Sequence, residues 1–143
     1  MTARFQSVVL DADSTLSAIE GIDWLAERRS AEVAAGSASL TAEAMEGARP
    51  LESVYADRLA RVQPTRAMVA ALGVAYIRSA APGALECIAA LRAAEVRVVI
   101  VSGGLRQGLL PLARHLGVAA DDVHAVEIRF DEQGEYAGPA GQQ

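Results

Sequence analysis

Phe5-Gln6-Ser7-Val8-Val9-Leu10-Asp11-Ala12-Asp13-Ser14-Thr15 is the stretch on which the fold turns. Its first six residues make a short apolar run rich in β-branched side chains, and Asp11 to Ser14 then stop it. That grammar predicts a buried strand over 5–10 followed by a polar turn. The same grammar recurs about ninety residues later, where Val96-Arg97-Val98-Val99-Ile100-Val101 stops at Ser102-Gly103-Gly104. Between the two runs, Leu85, Ile88, Ala89 and Leu91 fall near helical spacing over 82–94, with Pro82 suited to a first helical turn. Strand, helix and strand in this order build a parallel sheet. Beyond the second strand, Leu109, Leu112, Ala113 and Leu116 repeat at i, i+3, i+4 and i+7, and Gly117 stands where a left-handed cap would end the helix. Val123 to Phe130 alternates as a further strand, Asp131 to Gly134 is a turn, and Glu135 to Gly138 returns as a short antiparallel strand.

The composition agrees with an α/β core. Of 143 residues, 52% are apolar but only 4% aromatic, so the core is made of Ala, Val, Leu and Ile. The formal charge is −5 and no basic run exceeds Arg28-Arg29, so a nucleic-acid backbone would meet a repelling average field. The one cysteine, Cys87, forms no intrachain disulfide, and its helical spacing from apolar neighbours predicts a small buried side chain. No apolar run approaches the ~18 residues of a membrane span, and the start lacks a signal-peptide core, so the cytoplasm is the expected compartment and no membrane partner is expected.

Ser17 to Ser79 lacks strand patterning and is helical in composition, with a breaking zone at Gly36-Ser37-Ala38-Ser39 and stops at Pro50 and Pro64. About sixty residues are long for a connection and predict a small unit of their own. The expected organisation is therefore an α/β core from 1–16 and 80–143, with a helical cap over 17–79 inserted after the first strand. Pro139 to Gln143 carries no core-forming residue, and the chain reads as cut off there.

Ligands of an open parallel sheet bind beyond the carboxyl ends of its strands, so the Asp11 and Ser102 turns should converge on one site. Two carboxylates at i and i+2 can divide the work of attack and proton transfer when a divalent cation offsets their repulsion. A hydroxyl followed by glycines, with a helix starting near Leu105, suits a phosphate group. Each turn alone is equally well read as a helix cap or an ordinary strand-to-helix turn. Their pairing at two strand ends, with the helical insertion directly after the first, favours function. On the helix starting near Pro50, Arg58 lies inside the stripe Leu51, Val54, Tyr55, Leu59 and Val62, where a snorkelling arginine and an anion-binding one stand level. Glu20, beside Ile19 and Ile22, reads as a solvated helix residue, and His115 and His124 lack metal-ligand spacing and read as structural or exposed.

Asp11-Ala12-Asp13-Ser14-Thr15 resembles the first motif of the haloacid-dehalogenase-like superfamily, and Val101-Ser102-Gly103-Gly104 its second. Within it the chain resembles the phosphoserine phosphatase family. That likeness rests also on Glu20-Gly21-Ile22-Asp23, Ala44-Met45-Glu46-Gly47, Asp57-Arg58-Leu59, Gln63-Pro64 and Gly134-Glu135-Tyr136-Ala137-Gly138, and spans roughly residues 5–138. The resemblance implies a Rossmann-like core and hydrolysis of O-phospho-L-serine, in serine biosynthesis. Asp11 would attack phosphorus and, with its other oxygen, hold Mg²⁺. Asp13 would be general acid and then base, its backbone carbonyl also on Mg²⁺. Ser102, Gly103 and Gly104 would cradle the phosphoryl group, Glu20 would face the substrate ammonium, Arg58 its carboxylate, and Met45 would pack over the site.

The family pattern continues with a lysine and a Gly-Asp-Gly-x-x-Asp turn that this chain lacks: all 13 of its lysine-plus-arginine residues are arginines. Without that charge, weak Mg²⁺ binding and little turnover are expected. A sheet edge left exposed by the missing strands invites self-association. Two other readings stay open: a phosphate-binding relative that lost the chemistry, and a phosphotransferase to an alcohol such as homoserine.

Overall fold

The computed structural model describes residues 3–30, 42, 45–47 and 50–141, with the backbone alone at 51–52. The breaking zone at 36–39 and Ala44 of the quoted motif lie outside the described residues. In chain order the elements are β1 (Ser7–Leu10), α1 (Gly21–Arg29), α2 (Leu51–Val62), α3 (Arg66–Arg78), α4 (Ala84–Ala93), β2 (Arg97–Leu105), α5 (Arg106–Leu116), a 3₁₀ turn (Ala120–Asp122), β3 (Val123–Val126), β4 (Ile128–Phe130) and β5 (Tyr136–Pro139).

The expected parallel sheet is present, in the order β1-β2-β3. Ser7 pairs with Arg97 and Leu10 with Ile100, so β1 ends two positions short of Ser102 on its neighbour. That register brings the Asp11 turn beside Ser102. Strand periodicity sends Val98 and Ile100 to the buried side, at 4% and 1% exposure, and leaves Val9 and Val101 on the opposite face at 64% and 49%. The buried side merges with Ile88 of α4 and with Leu109, Leu112, Ala113 and Leu116 of α5 in one core. The α5 stripe and its Gly117 cap, at φ 84°, are as the spacing predicts.

Four local expectations are corrected. The second strand does not stop at Val101 but runs through Ser102-Gly103-Gly104 to Leu105, its register against β3 shifting on the way. The strand expected over 123–130 breaks at Glu127. Val123 and Ile128 are both buried yet five positions apart, so one flat strand would turn them to opposite faces. The chain instead joins the parallel sheet as β3 and then pairs β4 antiparallel with β5. Pro82 lies outside the first turn of α4, whose N-cap is Gly83. Cys87 is exposed, because the buried positions of α4 are Ala84 and Ile88, a stripe too narrow to include it. His115 and His124 are exposed.

Among the described residues, α1, α2 and α3 are tied to one another and to the core. Arg29 closes the C-terminus of α2, donating from Nε to the Val62 carbonyl at 2.9 Å and from Nη2 to that of Gln63 at 2.7 Å. α3 lies directly against α5, where a Cβ at Gly73 would stand 2.9 Å from Pro111 Cγ. The same pyrrolidine that removes a helical donor inside α5 thus fills the space a glycine leaves on α3. Among the described residues no helix is long and apolar enough to cross a membrane. Gly73→Val should therefore overpack this contact and destabilise the chain by about 1–3 kcal/mol in urea unfolding; an unchanged midpoint would show that the two helices are free to separate.

Candidate active site

The loop after β1 is wound by a single carbonyl. Ala12 O accepts from the amides of Thr15, Leu16 and Ser17 at 3.2, 3.0 and 3.1 Å, with Ser14 in the left-handed region at φ 54°. Ser17 is fully buried, and its Oγ donates to the Tyr76 carbonyl at 2.9 Å. Ala18 N and Ala81 N add bonds to Ser79 O and Leu16 O, so the loop is bound to the end of α3. The turn is therefore placed by backbone and hydroxyl bonds that involve none of its acids.

Asp13 is the centre of the arrangement. Its Oδ1 accepts from Gly21 N at 2.9 Å and from Tyr76 Oη at 2.5 Å, and its Oδ2 accepts from Ser102 Oγ at 3.2 Å. Ser102 Oγ in turn accepts from Gly104 N at 2.9 Å. The packing is close enough to dictate residue types. A Cβ at Gly21 would lie 2.1 Å from Tyr76 Oη, and one at Gly104 would lie 2.6 Å from Asp13 Oδ2. Asp11, by contrast, is exposed at the end of β1, where one of its oxygens accepts from Ala12 N at 2.8 Å. One carboxylate is gripped and the other faces outward.

Above them opens a cavity of about 260 Å³, walled by Asp11, Asp13, Gly103 and Gly104 from the strand ends and by Glu20, Gly21, Ile22, Tyr55 and Arg58 from the helices. Arg58 is 14% exposed and forms a hydrogen-bonded ion pair with Asp23 of α1. Glu20 is exposed and accepts from Ser14 Oγ at 2.7 Å. Met45 is 84% exposed and forms no part of this wall. Seven of the eight expected site residues thus meet around one volume: six line the cavity, and Ser102 bonds into it. A larger cavity of about 400 Å³, beside Arg92, Arg114 and Gly117 where α4 and α5 end, contains no nucleophile.

The residues that sequence reasoning passed over are Tyr76, Tyr55 and Ser17. Val69, Leu72 and Tyr76 form an ordinary apolar stripe, so Tyr76 reads as core; the usable signal is that a buried phenol needs a partner for its hydroxyl. Burial, and then the bond to Asp13, push the Tyr76 hydroxyl far above the ordinary phenol value of about 10. Burial also pushes Tyr55 up, reinforced by the Asp13 charge and opposed by Arg58. A phenol whose folded pKa is raised keeps its proton in the native state while the unfolded chain releases it. Its stabilisation is therefore full below pH ~10 and is lost as the pH rises further.

Two outcomes follow for Tyr76→Phe. At neutral pH it should destabilise the chain by about 1–3 kcal/mol, since it takes one donor from a carboxylate. Above pH ~10 the stability of the native sequence should fall by roughly 1.4 kcal/mol per pH unit more steeply than that of the variant. Urea unfolding from pH 7 to 11 checks both, and parallel alkaline slopes would mean that the phenol titrates freely.

Comparison with known proteins places the chain in a family. The haloacid dehalogenase-like hydrolase model matches residues 8–141. Phosphoserine phosphatase of Rattus norvegicus is 36% identical over 132 residues, which cover 92% of this chain and 58% of the rat protein. Among solved structures, a phosphoserine phosphohydrolase-like protein from Francisella tularensis subsp. tularensis SCHU S4 superposes with a TM-score of 0.86 at 22% identity, over 96% of this chain and 66% of that one. A phosphoserine phosphatase described as a phospho-aspartyl intermediate analogue superposes at 0.71 with 26% identity, over 94% and 61% of the respective chains. With the family's pattern matched from the first strand to the last hairpin, the chain belongs to the haloacid dehalogenase-like hydrolase family.

Proposed function

We propose that the chain carries the nucleophile and phosphoryl-binding part of a phosphoserine phosphatase, which hydrolyses O-phospho-L-serine through an aspartyl-phosphate on Asp11. The observation that carries this reading is the bond from Ser102 Oγ to Asp13 Oδ2, which joins two turns 89 positions apart in sequence at one point. Relatives named phosphoserine phosphatase support the substrate class, though the chain spans only 58% of the rat protein.

In this mechanism the exposed Asp11 carboxylate attacks phosphorus. Asp13 gives a proton to the leaving serine oxygen and later takes one from the attacking water. Ser102 Oγ and the Gly103 amide hold phosphoryl oxygens, while Arg58 and Glu20 meet the carboxylate and ammonium of the amino acid. The helices between Ser17 and Ser79 act as the cap that brings those two groups over the strand ends. Two hard oxygens, the Asp11 carboxylate and the Asp13 carbonyl, would hold Mg²⁺, which would supply positive charge against the phosphate. Among the described residues no cluster of three or more acidic, His or Cys side chains could hold a metal.

Incubation with O-phospho-L-serine and Mg²⁺ followed by hydroxylamine should convert an aspartyl-phosphate on the native sequence to a hydroxamate at Asp11, with release of phosphate, and should leave Asp11→Asn unmodified. Binding of O-phospho-L-serine without any adduct would favour a phosphate-binding relative over an enzyme, and transfer to added homoserine would favour a phosphotransferase.

A further inference from the structure

Tyr55 holds a polar atom that the mechanism above leaves unused. It lies on α2 three residues before Arg58, so the two side chains share a helix face, and both wall the cavity over the strand ends. Its Oη is buried and has no hydrogen-bond partner among the described residues. Buried phenols ordinarily find a partner, and an orphaned donor is a net loss to the folded state. Desolvation keeps this hydroxyl protonated, so it is a neutral donor lacking an acceptor. Beside it stands the Arg58 guanidinium, itself held by Asp23. A donor next to a fixed cation complements an anionic oxygen.

We propose that Tyr55 is a further ligand-binding residue, whose hydroxyl donates to an anionic oxygen of the phosphorylated amino acid seated between Arg58 and the Asp11 and Ser102 turns. This deepens the phosphatase reading and rests on it. A residue arranged this way has a double signature: its hydroxyl weakens the empty protein and strengthens the occupied one.

Tyr55→Phe in the full chain reads both halves. Without ligand, the variant should melt at the same temperature as the native sequence or a few degrees higher, because a donor is removed and no bond is lost. A lower melting temperature would show that the hydroxyl is already bonded in the free protein and would overturn the proposal. Calorimetric titrations in Mg²⁺ buffer with O-phospho-L-serine, O-phosphoethanolamine and inorganic phosphate supply the second half. The variant should bind O-phospho-L-serine about tenfold more weakly. A loss confined to O-phospho-L-serine places the hydroxyl on the carboxylate, and a loss shared by all three places it on the phosphoryl group. Equal affinity of variant and native sequence overturns the Tyr55 assignment and leaves the phosphatase reading standing. If the native sequence binds none of the three, the phosphatase reading itself falls and the Tyr55 assignment falls with it.

Discussion

The Asp13 carboxylate is the joint of this structure. Three donors reach it from three separate segments: the amide that opens α1, the phenol near the end of α3, and the Ser102 hydroxyl within β2. Three hydrogen bonds from three directions leave the side chain little freedom to turn. Because the donors belong to the helical insertion as well as to the sheet, the group that meets the ligand also sets where the helices sit. The two glycines beside it follow from the same constraint, since a methyl group at either position would occupy the space of the phenol or of the carboxylate.

Division of labour between the two acids follows from their surroundings. Asp11 leaves β1 into the open, with one bond inside its own turn, and can present an oxygen to an incoming phosphorus. Asp13 is anchored, which suits the proposed proton transfer, since a group that passes a proton to a defined atom gains from being held in place. The arginine of the cavity wall obeys the same logic. Arg58 has an apolar stripe beneath it and Asp23 against its guanidinium, so its position is settled before any ligand arrives.

The sheet and most of the site were legible in sequence because each rests on a local signal. An apolar run that ends in small polar residues can only leave its functional groups at a strand end, and two such runs joined by a helix run parallel, which makes their ends meet. The α5 stripe, with its closing glycine, is equally local. What escaped depends on tertiary partners. Val123 and Ile128 share one alternating run, and only the need to bury both reveals the break between them. Cys87 looked buried because helical spacing does not say how wide a helix contact is. Tyr76 and Tyr55 looked like core residues because a tyrosine in an apolar stripe differs from a phenylalanine by one oxygen, whose partner lies far away in sequence. Met45 matched a motif, but nothing local said which way it would face.

That last oxygen explains why a chain so poor in aromatics places its three tyrosines near one another. Asp13 raises both Tyr55 and Tyr76, Tyr55 adds to the rise at Tyr76, and Tyr136 adds to the rise at Tyr55. The floor of this site must do two opposed things: seal a polar cluster from a core of Leu, Val and Ala, and supply donors to a carboxylate within it. Phenylalanine does the first and serine the second, whereas a phenol turns an apolar ring to the core and a donor to the acid. The same ring that completes the packing of α3 therefore orients the Asp13 carboxylate. For this reason the stability of the helical layer and the geometry of the site cannot be changed independently at Tyr76.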